Sequence, residues 1–263
     1  MTNRIRQAQA EGRPSFGGWS VLPGTLPAEL MGRAGFDWVL IDTQHGGIAP
    51  GDLLPMIQVL ELSGTTPVVR VPWTDPPTIM RVLDFGARGV IVPMVNTAAE
   101  ARAAAAAVRY PPLGIRSFGP TRGGYGSPAE ANDDVVLLPM IETTLALENV
   151  EEIAATPGVD GLFIGPVDLG LSMGLPLDWT ASSPGILDAV DRVVAACERT
   201  GRFAGTVSSS ADHALDLLER GVSFITLGAD VGYVMAGVAR DTATLASLRA
   251  APRRVPVVPD GGE

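Results

Sequence analysis

Eight short apolar runs of strand character, separated by stretches of helical period, constrain this chain more than any other feature. They are FGGWSVL (16 to 22), WVLIDTQ (38 to 44), PVVRVP (67 to 72), GVIVPMV (89 to 95), LLPMIET (137 to 143), GLFIGPVDL (161 to 169), FAGTVSS (203 to 209) and FITLGAD (224 to 230). Near-continuous apolar strands that alternate with helices belong to a parallel sheet covered by helices. A count of eight argues for closure, so the expected fold is α/β, a single (β/α)8 TIM barrel. The length of 263 residues and a hydrophobic content of 46% support one large core rather than two small domains.

A weak internal repeat supports the count. Four segments, AGFDWVLID, FGARGVIVP, PGVDGLFIG and RGVSFITLG, place a glycine just before a strand, so Gly35, Gly86, Gly158 and Gly221 read as helix C-caps. Asp37 and Asp160 follow two of these caps at strand starts, which assigns them to the stability face of a barrel. The longest irregular stretch runs from Tyr110 to Asp134 and reads as a loop rich in glycine and proline. The barrel domain is expected over residues 1 to 250, followed by a poorly ordered tail over 251 to 263.

Charge and composition exclude several functions. With 29 acidic residues against 19 basic ones the net charge is -10, and no basic run occurs, which argues against nucleic acid and anionic membrane surfaces as partners. All 19 basic residues are arginine, so no lysine amine exists for a Schiff-base mechanism. Cys197 is the only cysteine and lies in a helical pattern, which fits a packed thiol in a reducing compartment. The N-terminus lacks the apolar core of a signal peptide, and no apolar run approaches the ~18 to 20 residues that span a bilayer. A soluble, cytoplasmic protein is expected.

In a barrel the chemistry is carried at the C-terminal ends of the strands. Reading only those ends selects Trp19, Asp42, Gln44, His45, Arg70, Glu142 and Asp168. Glu142 and Asp168 fall where apolar runs stop, and two carboxylates on neighbouring strand ends suggest a site for a hard divalent cation with open coordination positions. They also fit a structural pair, or a glycosidase acid and base, although aromatics at 5% leave little for a sugar platform. Arg70 interrupts the apolar strand PVVRVP. A guanidinium there either pairs with a nearby carboxylate or recognises a carboxylate or developing oxyanion of a ligand. His45, beside Asp42, is a candidate for proton transfer, whereas His213 lies in a helical pattern and reads as a surface residue. Asp84 ends a helix that returns to the bottom of the barrel, so any catalytic use of it falls in a neighbouring subunit's site.

The segments AGFDWVLIDTQH, PVVRVPW, VLDFGARGVIVPMV, RYPPLGIRSFG, IET at Ile141 to Thr143 and GVDGLFIGPVDL occur in one order over about residues 10 to 245. In this series the chain resembles the class II, metal-dependent pyruvate aldolases of the HpcH/HpaI type, whose barrel is of the phosphoenolpyruvate/pyruvate-binding kind. The resemblance implies that Glu142 and Asp168 bind a divalent metal (Mg, Mn or Co), that Arg70 contacts the keto or enolate oxygen of pyruvate, and that His45 takes part in proton transfer. It implies that an aspartate matching Asp84 pairs with this histidine at a subunit interface of a homohexamer built as a trimer of dimers. The backbone around Gly165, Pro166, Val167 and Asp168 would hold the substrate carboxylate, with Trp19 and Gln44 beside the substrate and Asp42 behind it. The implied reaction is reversible cleavage of a 4-hydroxy-2-oxo acid to pyruvate, or hydroxypyruvate, and an aldehyde held toward the loop of Phe118 to Tyr125, without a nucleotide cofactor. One departure is that the family often reads Asp-x-Glu-His where this chain has Asp42, Thr43, Gln44 and His45. A thioester lyase of the related citrate lyase and malyl-CoA lyase barrels, and a non-catalytic barrel that binds keto acids, are the alternative readings.

Overall fold

A computed structural model describes residues 2–119, 122 and 126–251. Eight parallel strands close into a barrel in sequential order: β1 (Ser15–Ser20), β2 (Trp38–Asp42), β3 (Thr66–Arg70), β4 (Gly89–Val92), β5 (Val136–Ile141), β6 (Gly161–Ile164), β7 (Phe203–Val207) and β8 (Phe224–Ala229). Helix α1 (Arg4–Ala10) precedes the barrel, and α2 (Thr25–Gly32), α3 (Pro50–Leu62), α4 (Pro76–Asp84) and α5 (Ala98–Val108) follow the first four strands. Next come α6 (Pro128–Asp134), α7 (Thr144–Glu148), α8 (Val150–Ala154), α9 (Pro166–Ser172), α10 (Pro184–Thr200), α11 (Ala211–Glu219) and α12 (Asp230–Ala250). All eight expected strands are present and parallel.

The strands are shorter at their C-terminal ends than the apolar runs suggested, and the largest difference is at β6. That strand stops at Ile164, and Pro166 begins α9, so Asp168 belongs to the first turn of a helix and not to a strand. Proline explains the stop, because it lacks the N–H a ladder needs and suits the first turn of a helix. The stretch from Tyr110 to Asp134 is also less irregular than expected. Its last residues form α6, capped by Ser127, whose Oγ accepts from the Glu130 amide while the Glu130 carboxylate accepts from the Ser127 amide. The expected tail lies outside the described residues except for Ala251.

Two apolar layers hold the fold. Between the barrel and its helices lies a continuous core that includes Val39, Ile41, Val69, Val90, Leu137 and Ile164. Inside the barrel, Trp38 and Phe224 stack with ring centroids 3.9 Å apart at 3° to one another, with Phe163 edge-on to Phe224 at 6.1 Å. This stack requires glycine on β1, since a Cβ at Gly17 would lie 2.2 Å from the Trp38 ring. Helix α1 closes the bottom through Ile5 and Ala8, both 1% exposed, and through Asn3, whose Nδ2 donates to the carbonyls of Arg88 and Asp134.

The four helix-end glycines all have positive φ, from 89° to 112°. The strand-start aspartates they precede engage in bottom-face contacts. Asp37 pairs with Arg13 and accepts from the Phe16 amide, while Asp160 pairs with both Arg6 and Arg109 and accepts from the Leu137 amide. Removing one partner of a buried ion pair leaves the others desolvated and uncompensated. Asp160→Ala is therefore expected to lower unfolding stability by about 3 kcal/mol, read from the shift in urea midpoint with an unchanged slope.

His213, expected at the surface, is 8% exposed, and its Nδ1 lies 3.0 Å from the Ser209 hydroxyl. Helix α12 departs furthest from a covering helix. Among its residues only Asp230 is buried, while Val231, Tyr233, Val234, Met235, Val238, Leu245 and Leu248 are exposed, as is Leu227 on β8. No helix among the described residues is long and apolar enough to cross a membrane.

Candidate active site

The C-terminal mouth of the barrel encloses a cavity of about 570 Å³. Trp19, His45, Arg70, Gly165, Pro166, Val167 and Asp168 all line it. These residues come from four different strand ends, and strand register explains part of their meeting. In the parallel ladder between β2 and β3, Asp42 is directly opposite Arg70, so the two side chains emerge side by side at the rim.

Asp42 and Arg70 form a two-pronged pair. Arg70 Nε donates to Asp42 Oδ1 at 2.9 Å and Nη2 donates to Oδ2 at 2.5 Å. Trp19 Nε1 donates to the same Oδ2 at 3.1 Å, and the indole lies 4.7 Å from the guanidinium carbon. The amides of Gln44 and His45 donate to Oδ1. Burial by itself acts to raise the Asp42 pKa, but the Arg70 hydrogen bonds and charge, with the Trp19 and Gln44 donors, outweigh it and hold the carboxyl below its usual range. The ion-pair reading of Arg70 is therefore the one seen in the structure. The ion pair engages Nε and Nη2 and orients the guanidinium at the cavity wall, and Nη1 takes part in neither bond.

Glu142 follows β5 and is 2% exposed. Its Oε1 accepts from the Met94 amide at 2.6 Å. Met94 itself has φ of 56°, a conformation non-glycine residues rarely adopt, and the turn after β4 uses it to aim this N–H at the carboxylate. Burial raises the Glu142 pKa against the opposing hydrogen bond from the Met94 amide, and the nearby Asp168 charge adds to the rise more than Arg70 offsets it. Two carboxylates that repel each other beside an arginine already engaged elsewhere form a hard-oxygen donor set that fits a divalent cation. Among the described residues no three His, Cys, Asp or Glu side chains are grouped to hold a metal. A cation here would draw two side-chain ligands from the protein and the remainder from water and substrate.

Gly165 packs against this carboxylate. A Cβ there would lie 2.7 Å from Glu142 Oε2 and 2.9 Å from Glu142 Cβ. Gly165→Ala is therefore expected to displace Glu142 and weaken divalent-cation affinity about 10- to 100-fold, the cost typical of losing support for a ligand. Isothermal titration with Mn would read this change, and unaltered affinity would mean that Glu142 is not a ligand.

Other expected site residues are placed elsewhere. Gln44 is not among those lining the cavity, and its Oε1 is buried without a hydrogen-bond partner among the described residues. Asp84 ends α4 at the opposite end of the barrel, paired with Arg116 at 2.8 Å, so the chain does not bring it to its own His45. The described part of the loop of Phe118 to Tyr125, expected toward the aldehyde, does not line this chain's own cavity. Helix α5 carries the chain back to the bottom, where Phe118 packs on Tyr110 and Arg122 pairs with Glu61. Residues 120, 121 and 123–125 lie outside the described set.

Sequence reasoning missed Met94, for which no local pattern signals a positive φ. It also missed Leu171, Leu177, Trp179 and Val207, which line the same cavity. Leu177 and Trp179 belong to an aperiodic segment between α9 and α10, where neither strand nor helix period marks an inward face.

The chain is similar to known proteins over most of its length. The sequence pattern that defines the HpcH/HpaI aldolase/citrate lyase family matches residues 19–236. A hydroxypyruvate/pyruvate aldolase of Rhizorhabdus wittichii is 43% identical over 239 residues, covering 89% of this chain and 95% of that protein. A 5-keto-4-deoxy-D-glucarate aldolase of Salmonella arizonae is 36% identical over 244 residues, covering 89% and 93% respectively. Among solved structures, an HpcH/HpaI aldolase/citrate lyase family protein from Burkholderia cenocepacia superposes with a TM-score of 0.84 at 31% identity, covering 93% of this chain and 99% of that one.

Proposed function

Because the chain belongs to the HpcH/HpaI aldolase/citrate lyase family, we propose that it is a carbon-carbon lyase that reversibly cleaves a 4-hydroxy-2-oxo acid to pyruvate or hydroxypyruvate and an aldehyde. The observation that carries this reading is the convergence of Arg70, His45 and Asp168 on one cavity at the catalytic end of the barrel, with Glu142 against Gly165 beside it. Glu142 and Asp168 are the residues that would hold a divalent cation, Mg, Mn or Co. When bound, such a cation supplies Lewis-acid polarisation of the 2-oxo carbonyl and so acidifies the neighbouring carbon.

The remaining work falls to the chain. The unpaired amides in the first turn of α9, around Val167 and Asp168, receive the substrate carboxylate. Arg70 Nη1 lies ready for the keto oxygen and stabilises the negative charge that develops there as the enolate forms, while Asp42 and Trp19 fix its direction. His45, exposed in the cavity wall, relays the proton between solvent and the reacting groups: the methyl proton in enolate formation, the 4-hydroxyl proton in cleavage. A Schiff base has no part in this scheme, because the chain contains no lysine.

The enzyme is further proposed to act as a homohexamer, a trimer of dimers, in which Asp84 of one copy approaches His45 of another. The apolar side chains along α12 and the uncovered Leu227 support association. Light scattering would read the assembled mass, and a monomer retaining full activity would sink this arrangement. The buried Cys197 thiol, whose pKa burial pushes up to about 12, is compatible with the reducing cytoplasm proposed as its location.

The test is solvent-deuterium exchange into the methyl group of pyruvate, followed by proton NMR on metal-stripped protein with and without Mg or Mn. Exchange that depends on added metal is the expected result. Absence of exchange from both pyruvate and hydroxypyruvate under every metal would overturn the aldolase reading.

A further inference from the structure

Glu142 is held from two sides. Its Oε1 accepts from the Met94 amide at 2.6 Å, and its Oε2 lies where a Cβ at Gly165 would approach within 2.7 Å. The first of these depends on a turn in an unfavourable conformation. Met94 has φ of 56°, where a non-glycine side chain crowds its own backbone. Such a conformation persists only where the surroundings over-determine it, and relaxing φ would reorient the backbone that aims this N–H.

Asn96 is the side chain that holds the turn. Its Nδ2 donates to the Met94 carbonyl at 3.0 Å, and its Oδ1 accepts from the Thr143 hydroxyl. Thr143 directly follows Glu142 and caps α7, its Oγ1 accepting from the Ala146 amide at 3.0 Å. Because the Ala146 amide supplies its own hydrogen, the Thr143 hydroxyl proton is left for Asn96 Oδ1. The Met94 carbonyl can only accept, which decides which end of the Asn96 amide faces it. One side chain thus ties the turn after β4 to the turn after β5, the two segments joined by the Met94–Glu142 bond.

The backbone of Asn96 is anchored as well. Its carbonyl accepts from Asn149 Nδ2 at 2.8 Å, and its amide donates to the Glu100 carboxylate at 2.6 Å. Val95, between Met94 and Asn96, is fully buried in the outer core. Every bond in this path is made within one chain. Asn96 is not among the residues lining the cavity, so it acts through Met94 and Thr143 and not on a substrate.

We propose that Asn96 is a positioning residue for the metal centre. By clamping Met94 to Thr143 it aims the Met94 amide at Glu142 and fixes that carboxylate in the orientation that binds a divalent cation. The inference rests on the reading of Glu142 as a cation ligand in the proposed function.

The experiment titrates metal-stripped, full-length protein with Mn by isothermal calorimetry, without substrate. Asn96→Ala is expected to weaken affinity about tenfold, the lower end of what lost support for a ligand costs. Thr143→Val, which keeps the side-chain shape but lacks the hydroxyl, is expected to do the same, while Thr143→Ser should stay within about threefold of the wild type. Two residues that act through one bond are not additive, so the double variant Asn96→Ala/Thr143→Val should weaken affinity about tenfold and not about a hundredfold. Misfolded protein lowers the number of sites titrated and not the affinity of those that remain, so loss of folding does not imitate the effect. Wild-type affinity in Asn96→Ala, a Thr143→Ser protein as weak as Thr143→Val, or single effects that multiply in the double variant would overturn the inference and leave the aldolase reading standing. Absence of Mn binding by the wild type, or binding unchanged in Glu142→Gln, would remove the metal centre itself and the inference with it.

Discussion

Glu142→Gln is expected to lower metal-supported deuterium exchange and aldol turnover by about a thousandfold or more, since Lewis-acid stabilisation of the developing charge is worth several kcal/mol. The substitution keeps the shape of the side chain and an acceptor for the Met94 amide, so folding should persist while the hard anionic ligand is lost. The pH dependence is signed. Burial and Asp168 raise the Glu142 pKa, so the metal-free protein retains this proton to a higher pH than an ordinary carboxyl would. A cation must displace it, and apparent metal affinity should fall as pH drops through the raised value. Metal titration of the wild type should therefore release protons in mildly acidic buffer, and the glutamine variant should release fewer. Full metal-dependent turnover in Glu142→Gln would remove Glu142 and Asp168 from the proposed centre.

The second large effect is expected at Asp42, where Asp42→Ala should destabilise the fold by about 3 to 5 kcal/mol, the cost of leaving one member of a buried pair behind. The Arg70 side chain is 9% exposed, so little water can replace the lost carboxylate. The indole N–H of Trp19 and the amides of Gln44 and His45 lose their acceptor as well. Exchange should fall about a hundredfold even under conditions where the variant stays folded, because Arg70 would no longer be held toward the keto oxygen. The sign of the pH effect follows from the depressed Asp42 pKa. A carboxyl lowered in the folded state contributes stability above its unfolded pKa of about 4 and loses it only as pH falls through the lower folded value. The pair should therefore persist through neutral and mildly acidic pH, and activity lost between about pH 7 and 5 should not be traced to Asp42. Urea midpoints measured across this range check the stability claim, and an Asp42→Ala protein as stable and active as the wild type would refute it.

Arg70, Glu142 and His45 are legible because each lies in or next to the end of a short apolar run. Strand character, helix-end glycines and prolines at helix starts act over a few residues, and a closed parallel barrel collects such strand ends at one rim. Asp168 was found for a slightly wrong reason, since the apolar run continues past Ile164 while Pro166 has already begun a helix.

Contacts between distant segments are a different matter. Nothing within a few residues of Asp42 says that it will grip Arg70, 28 positions away; the register of β2 against β3 decides that. Met94 reaches Glu142 across 48 positions only because barrel closure sets the turn after β4 beside the end of β5. The destination of the loop after α5 is likewise a matter of topology, since a helix that follows a strand returns the chain to the opposite face. This is why Arg116 and Phe118 meet Asp84 and Tyr110 at the end of the barrel opposite the chain's own cavity. The sequence by itself determined the architecture, the chemical types at the rim and the absence of Schiff-base chemistry, because those follow from local periodicity and composition. Only the tertiary structure decided which rim residues hold one another in place and that Leu177 and Trp179 join them in lining one cavity, because those depend on how the closed barrel juxtaposes segments that no local pattern connects.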